Sequence, residues 1–450
     1  MSNTETKKHK KKRRKYRLVL PWNNPAYQQQ NTSKTKKKRR KHSRFRLTNL
    51  RKEVWFVLAG VVALLALLLI PGMIEKNKLR KLGYDRETIT AIRKQKLAKV
   101  LLENEYYSDY LASCIRAGTV NTDYLSLYTV IEGEKYLDDT DFLMVQRLKD
   151  KGYVEDQILN LYKNLRFVDL TPLLVFDYQV LEQGYIDDCL AHPENSRSSF
   201  VLTHSYYTPY ENTKAADPSR VDKLVNKTWY LDSSFVPEEL TALSVHAGAT
   251  GTQLSKEAAD AMEEWAAGGK SVGVSFYASS SYRSYDSQSA LYDNYVFLHG
   301  KEQADRESAR PGFSEHQTGL TVDVTAVGDE SKDFSETSAF MWASTNCMDY
   351  GWILRYPENK EDITGYEYES WHYRYVGKEL AQALYKTGMT YDEFWSLYLK
   401  PWSDENNKPS EAILTSTDWH NLLKSEEAPE EGEEETTDAS PDATAQTDVQ

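Results

Sequence analysis

The run Val54 to Ile74, VWFVLAGVVALLALLLIPGMI, holds 21 residues without a charge. As a helix rising about 1.5 Å per residue, it spans roughly the 30 Å hydrocarbon layer of a bilayer. A core helix of a soluble domain would show a polar face, and none interrupts this run. The arm before it is too long for a cleaved signal peptide, and no A-x-A-like site follows. That arm, Met1 to Glu53, carries 20 Lys/Arg against 2 Asp/Glu, mostly in the clusters Lys7–Arg17 and Lys34–Arg46. The positive-inside bias then puts the N-terminus in the cytoplasm and everything after Glu75 outside. The arm reads as a topology determinant touching anionic lipid, each basic residue near the surface contributing about 1 kcal/mol. Basic runs also match nucleic-acid phosphate, but the adjoining span favours the membrane surface.

The 450 residues leave room for two or three units once the tails are set aside. Three cysteines, Cys114, Cys189 and Cys347, exclude a small disulfide scaffold and a Cys-rich zinc module. They allow one bridge, for which Cys114 and Cys189 are a possible pair outside the cell. A single hydrophobic run excludes a multi-span transporter. We divide the chain into a basic arm (1–53), a span (54–74), a helical repeat or spacer region (75–195), a linker (196–220), a globular domain (221–424) and an acidic tail (425–450). The tail carries ten acidic and no basic residues, a composition of disordered chain.

In the helical region GYDRETITAI, KYLDDTDFLMV, GYVEDQILNLY, FVDLTPLLVF and GYIDDCL each pair a helix-start signal with apolar residues at helical spacing. From Tyr136 to Tyr153, Val168 and Tyr185 the steps are 17, 15 and 17 residues, so short helices could stack as an array. In the globular domain, Leu254, Ala258, Ala261, Met262 and Trp265 mark a helix that Gly268-Gly269 should end. Val272, Val274, Phe276 and Ala278 alternate as a strand, and a helix follows through Ala290, Leu291 and Leu298. Leu320, Val322 and Val324 alternate again, and Asp333 with Glu336 resembles a capping box for a helix through Phe340 and Met341. Strands and helices interleave without a glycine-rich nucleotide loop, which makes α+β the class.

Metal-capable side chains concentrate in two segments of a chain with nine histidines. SEHQTGLTVDV supplies His316 and Asp323, and EYESWHYRYVG supplies Glu369 and His372. A catalytic zinc takes three N/O protein ligands and an open fourth position. His316, Asp323 and His372 could supply them, with Glu369 taking the proton from the attacking water. On spacing alone, a hydrogen-bonded structural His–Asp pair explains the same residues. Geometry adds a condition, because on an unbroken strand Glu369 and His372 would point to opposite faces. The assignment requires Glu369 to sit in a turn or bulge before the strand.

From Leu224 onward the chain resembles the zinc-dependent D-alanyl-D-alanine carboxypeptidases of the VanY type. The matching pieces are LVNKTWYLDSSFVPEEL, SSYRSYDSQSALYDNYV, ADRESARPGFSEHQTGLTVDV, GWILRYP and ESWHYRYVG, in the family's order. Its S-x-H-x-x-G-x-A-x-D pattern lands on Ser314, His316, Gly319, Thr321 and Asp323, and its E-x-W-H pattern on Glu369 to His372. The resemblance implies a Hedgehog/D-Ala-D-Ala-peptidase-like sheet with flanking helices. It also implies one Zn2+ on His316, Asp323 and His372, with Glu369 as general base. Arg283 would stabilise the developing oxyanion. Gln288 and Ser314 would contact the terminal D-Ala carboxylate. Thr321 in place of Ala, Ser281 in place of Gly and Ser370 in place of Pro depart from the pattern without removing a ligand or the base.

The expectation is therefore a single-pass, outward-facing zinc carboxypeptidase of a Gram-positive-like cell membrane, trimming terminal D-Ala from peptidoglycan stem peptides. An L,D-carboxypeptidase acting on tetrapeptides, a soluble-type dipeptidase and a wall-binding scaffold without turnover are the alternatives the sequence leaves.

Overall fold

The computed structural model describes residues 52–133, 135–176, 179–191 and 212–424. The basic arm before Lys52, the acidic tail after Lys424 and the 196–211 part of the expected linker lie outside the described residues. The chain divides into two units, Met1–Met73 and the residues from Ile74 onward.

Helix α1, Lys52–Leu82, is longer than the expected 54–74 span and runs on through Glu75, Lys76 and Lys78. Its apolar part is long enough to cross a membrane and is wholly unburied. The extension follows from packing, since Leu79 is completely buried in the core of the helices that follow.

Those helices are α2 (Arg86–Lys94), α3 (Ala98–Glu103), α4 (Asp109–Ala117), α5 (Asp139–Asp150), α6 (Glu155–Asn164), α7 (Phe167–Val175) and α8 (Glu182–Ala191). Local chemistry starts and stops them. Asp85 accepts from Thr88 N to open α2, and Ser108 accepts from Leu111 N to open α4. Asp138 and Asp141 form a reciprocal capping box on α5. The five similar sequence pieces fall on α2 and α5 to α8, while α3 and α4 separate the first from the rest. All three cysteines carry thiols, so the bridge between Cys114 and Cys189 does not form.

The second layer is a four-stranded antiparallel sheet in the order β5-β6-β8-β7, with β5 Phe276–Ser280, β6 Thr321–Ala326, β7 Trp352–Tyr356 and β8 Glu369–Tyr375. Ahead of it lie two small pairs, β1 (Lys214–Ala215) with β2 (Trp229–Tyr230), and β3 (Leu240–Ala242) with β4 (Gln253–Ser255). Helix α9, Lys256–Ser271, covers one face of the main sheet with Ala258, Met262 and Trp265. Trp265 meets Phe276 at 4.7 Å and Tyr373 at 4.9 Å between ring centroids. On β6 the alternating Val322, Val324 and Ala326 enter this core, so Asp323 faces the other side.

Two local expectations are corrected. Helix α9 does not stop at Gly268-Gly269 but continues to Ser271, and Val272 caps it rather than opening a strand. These glycines serve packing, because a Cβ on Gly268 would collide with the Tyr350 hydroxyl and one on Gly269 with the Phe276 ring. Asp333 does not cap the helix through Phe340 either. It opens a short 3-10 turn, Phe334–Glu336, by accepting from Ser335 N. The helix Ser338–Asn346 is capped by Thr337, whose hydroxyl accepts from Phe340 N.

From Ile74 on, helices and sheet form one compact unit, tied through the segment after Thr390. Arg147 of α5 donates to the Leu397 carbonyl at 2.8 Å and lies 3.7 Å over the Trp402 ring. Thr171 of α7 donates to the buried Glu393 carboxylate at 2.6 Å, and Asp150 accepts from Ser403 N and Asp404 N. Leu397 and Ile413 belong to the helical core itself. Thr171→Val removes a charge-assisted bond from a buried carboxylate, a loss of about 1–3 kcal/mol. Urea unfolding should show a lower midpoint at unchanged slope; a midpoint equal to wild type would mean the junction does not depend on this bond.

Candidate active site

The site face of the sheet is built by register. Asp323 on β6 stands opposite His372 on β8, and period-two alternation puts both away from the Trp265 core. His316 comes from the 3-10 turn Glu315–Thr318. Gly319 closes that turn at φ 70°, where a Cβ would press on Pro237 and on Ser255 N.

Glu369 and His372 lie on one strand, yet their side chains meet. The pairing of β7 with β8 steps from Leu354↔Tyr373 to Tyr356↔Glu369. One residue of β7 therefore opposes three of β8, and the ladder is interrupted. This bulge resets the alternation, and the Glu369 carboxylate comes within 3.1 Å of His372 Nδ1. Glu369 thus opens β8 rather than preceding it as expected, and it is the broken ladder, not a turn before the strand, that brings it to His372.

His316 Nδ1 donates to the Ser281 carbonyl at 2.7 Å, which leaves Nε2 facing Asp323 Oδ2 at 3.3 Å. His372 Nδ1 lies 3.4 Å from Asp323 Oδ1. One donor atom from each of the three residues falls within 4.8 Å of the others. Ligands bonded at about 2.0–2.2 Å to a tetrahedral zinc stand roughly 3.3–3.6 Å apart, which the two contacts of Asp323 match at 3.3 and 3.4 Å. Asp323 Oδ1 is buried without a hydrogen-bond partner, as a ligand oxygen would be.

Burial pushes the Asp323 carboxyl up, but His316 and His372 hold it well below the usual carboxylate range. Burial pushes His372 down, while Asp323, Glu315 and Glu369 together hold it well above an ordinary histidine. The cluster therefore calls for positive charge at its centre, and a divalent cation there would displace the imidazolium proton.

Arg283 borders the three candidate ligands, its Nη2 3.8 Å from Asp323 Oδ2. Nη1 donates to Gln288 Oε1 at 2.8 Å and Nη2 to Ser280 Oγ at 2.9 Å. Gln288 is buried, and its amide donates to the Ala309 carbonyl at 2.7 Å. Its hydrogen-bonding capacity is thus spent on orienting Arg283 and the 308–309 backbone. The hydroxyl of buried Ser314 has no protein partner among the described residues. All seven residues singled out in the sequence line one cavity of about 130 Å³, with Tyr295, Glu307, Tyr356, Tyr366 and Trp371 completing its wall.

Sequence reasoning missed the layer beneath. Glu315 is fully buried and accepts from Arg355 Nε at 2.9 Å and Arg374 Nη1 at 3.1 Å. Burial alone would raise its pKa, yet the two guanidinium groups hold it well below the usual range. Arg355 in turn pairs with Asp392 at 2.6 Å, and Asp392 accepts from Asn226. Glu315 Oε2 faces His372 Nε2 at 3.6 Å, the carboxylate–histidine arrangement that orients metal ligands. A signal was adjacency, since Glu315 and Arg374 sit inside the same short motifs as the site residues, while Arg355 lies apart in GWILRYP. The departures at Ser281 and Ser370 have local roles. Ser281 Oγ accepts from Gln253 N, and Ser370 Oγ donates to Asp333.

A family model described as VanY, D-alanyl-D-alanine carboxypeptidase, matches residues 251–378. The YodJ protein of Bacillus subtilis is 36% identical over 225 residues, which are 48% of this chain and 82% of that protein. A D-alanyl-D-alanine carboxypeptidase of Enterococcus faecium is 31% identical over 209 residues, 45% of this chain. The chain spans only 59% of that enzyme's length. Among solved structures, the LdcB LD-carboxypeptidase is 37% identical, covering 41% of this chain and 90% of its own, with a TM-score of 0.39. The chain is a member of the VanY family of D-alanyl-D-alanine carboxypeptidases.

Proposed function

We propose that this carboxypeptidase is a membrane-anchored, zinc-dependent enzyme that removes the terminal D-Ala from peptidoglycan stem peptides. The observation that carries this reading is the convergence of His316, Asp323 and His372 with Glu369 3.1 Å from His372 and Arg283 3.8 Å from Asp323. Zinc bound by the two histidines and Asp323 would supply the Lewis acidity for amide hydrolysis. Glu369 takes a proton from the attacking water. The oxygen of that water joins the carbonyl carbon, and the carbon–nitrogen bond to the last residue breaks. Glu369 then returns the proton to the departing amine, so the products are a shortened peptide acid and free D-Ala. Arg283 is already oriented by Gln288 and Ser280, so its charge can meet the oxyanion without reorganising. The Ser314 hydroxyl, without a protein partner among the described residues, would meet the substrate's terminal carboxylate.

Helix α1 would hold this chemistry at the outer surface, with the 20 Lys/Arg of Met1 to Glu53 inside. Anchoring keeps the cavity close to an insoluble substrate. In intact protoplasts an external protease should digest the part after Ile74 and spare the basic arm; the reverse pattern would invert the topology.

Glu369→Gln should lower kcat by about 10²–10⁴-fold while zinc content, measured by mass spectrometry, stays at wild-type level. Full activity in the variant would remove Glu369 from the proton transfer. Chelation should abolish D-Ala release, and added zinc should restore it. Muropeptide mass spectrometry should show loss of one alanine from pentapeptides. Loss from tetrapeptides alone would make the enzyme an L,D-carboxypeptidase, and zinc binding without hydrolysis would make it a scaffold.

A further inference from the structure

A second polar cavity, of about 150 Å³, lies between the helices and the sheet domain, away from the catalytic residues. A water-sized group needs on the order of 10–15 Å³ by this measure, so the space admits a tetrahedral oxyanion. Lys151, Lys214 and Lys400 line it, against Asp150 as the carboxylate among its described lining residues. Asp150 is already engaged, accepting from Ser403 N at 3.0 Å and Asp404 N at 2.9 Å. Lys151 donates to the Phe176 carbonyl, whereas the ammonium groups of Lys214 and Lys400 make no hydrogen bond or ion pair among the described residues. Lys214 only faces the Trp229 ring, 5.5 Å from its centroid.

Three further features fit a built site. Burial lowers the Lys400 pKa to about 8, with Lys214 and Arg147 adding like-charge repulsion. Arg147 is itself buried, and its Nη1 has no hydrogen-bond partner. Trp395 to Leu399 form a π-turn that ends at Lys400, whose backbone N–H donates to the Trp395 carbonyl at 2.8 Å. Such turns are rare and are found mainly at functional positions. Here the turn sets Trp395, Ser396 and Lys400 around the cavity. Among the described residues, the half-buried Lys400 faces like charge from Lys214 and Arg147, which an anion in the cavity would relieve.

The geometry points to an oxyanion-binding site for a phosphate group, held by Lys214 and Lys400 at the junction of the helical region and the catalytic domain. Lysines bind phosphate as point charges, without imposing the planar fork geometry of arginine. Phosphate of this chemistry is available free or as the phosphodiester of a glycerol-phosphate polymer. This inference does not rest on the peptidase reading.

Calorimetric titration of the detergent-solubilised full chain with inorganic phosphate, at constant ionic strength, tests it. Saturable binding should weaken about tenfold, the loss of one charge-assisted hydrogen bond, in Lys214→Gln and in Lys400→Gln. Release of D-Ala measured without phosphate should be unchanged in both. A glycerol-phosphate oligomer that binds more tightly than inorganic phosphate would assign the site to the polymer, and equal affinities would assign it to free phosphate. No saturable binding of either probe, or binding unaltered in the variants, overturns the site. If Lys400→Gln does not fold, Lys214→Gln decides alone, because Lys214 lies on an exposed strand.

Discussion

The catalytic half of the molecule depends on one buried carboxylate. Glu315 has no exposed side-chain surface and is held between Arg355 of β7 and Arg374 of β8. Stripped of those guanidinium groups, its charge would be strongly unfavourable in the interior, and removing one partner of such a cluster is far more damaging than the pair's net contribution suggests. The cluster therefore fixes three things at once. It joins the turn carrying His316 to two strands, it sets a carboxylate behind His372, and through Asp392 and Asn226 it reaches the segment before β2. Arg374 also donates to the carbonyls of Val221 and Lys223, so the lead-in to the domain is gathered onto the same charges.

On that base, the candidate ligand set is a consequence of strand register. Asp323 and His372 are opposite one another because β6 and β8 pair antiparallel at that point. A slip of β8 by one residue would send His372 into the aromatic core and leave Asp323 without it. The bulge in β8 then does what regular pleating forbids, by turning Glu369 to the same side as His372. Arg283 and Gln288 arrive from the turn after β5 and the helix Tyr285–His299, with Gln288 holding the guanidinium rather than the cavity. The site is thus assembled from five separate elements: the turn carrying His316, β6, β8, the turn carrying Arg283 and the helix carrying Gln288.

The helices after the span are more than a stalk. Arg147, Asp150 and Thr171 meet backbone or carboxylate groups of the segment 393–404, and residues from that segment complete the helical core. Buried polar bonds between the two layers make their relative placement specific, since each would be expensive to leave unmade. The consequence is that the helical region and the catalytic domain pack as one compact unit.

Much of this was legible in the residues. The uncharged run Val54–Ile74 determined a long apolar helix, alternation at Leu320, Val322 and Val324 gave β6, and two short motifs held the three ligand candidates and Glu369. Period and side-chain chemistry are local, so they survive in a linear string. What they could not carry was distance. The bulge in β8 exists only against β7, and the glycines of α9 are explained only by Tyr350 and Phe276 packed upon them. Thr337 displaced Asp333 as a cap because the chain turns twice there. Glu315, Arg355 and Arg374 look like surface charges in sequence, as most such residues are. Their partners lie 40 and 59 positions apart along the chain, and only folding, by excluding water from all of them together, turns three ordinary charges into the support of an active site.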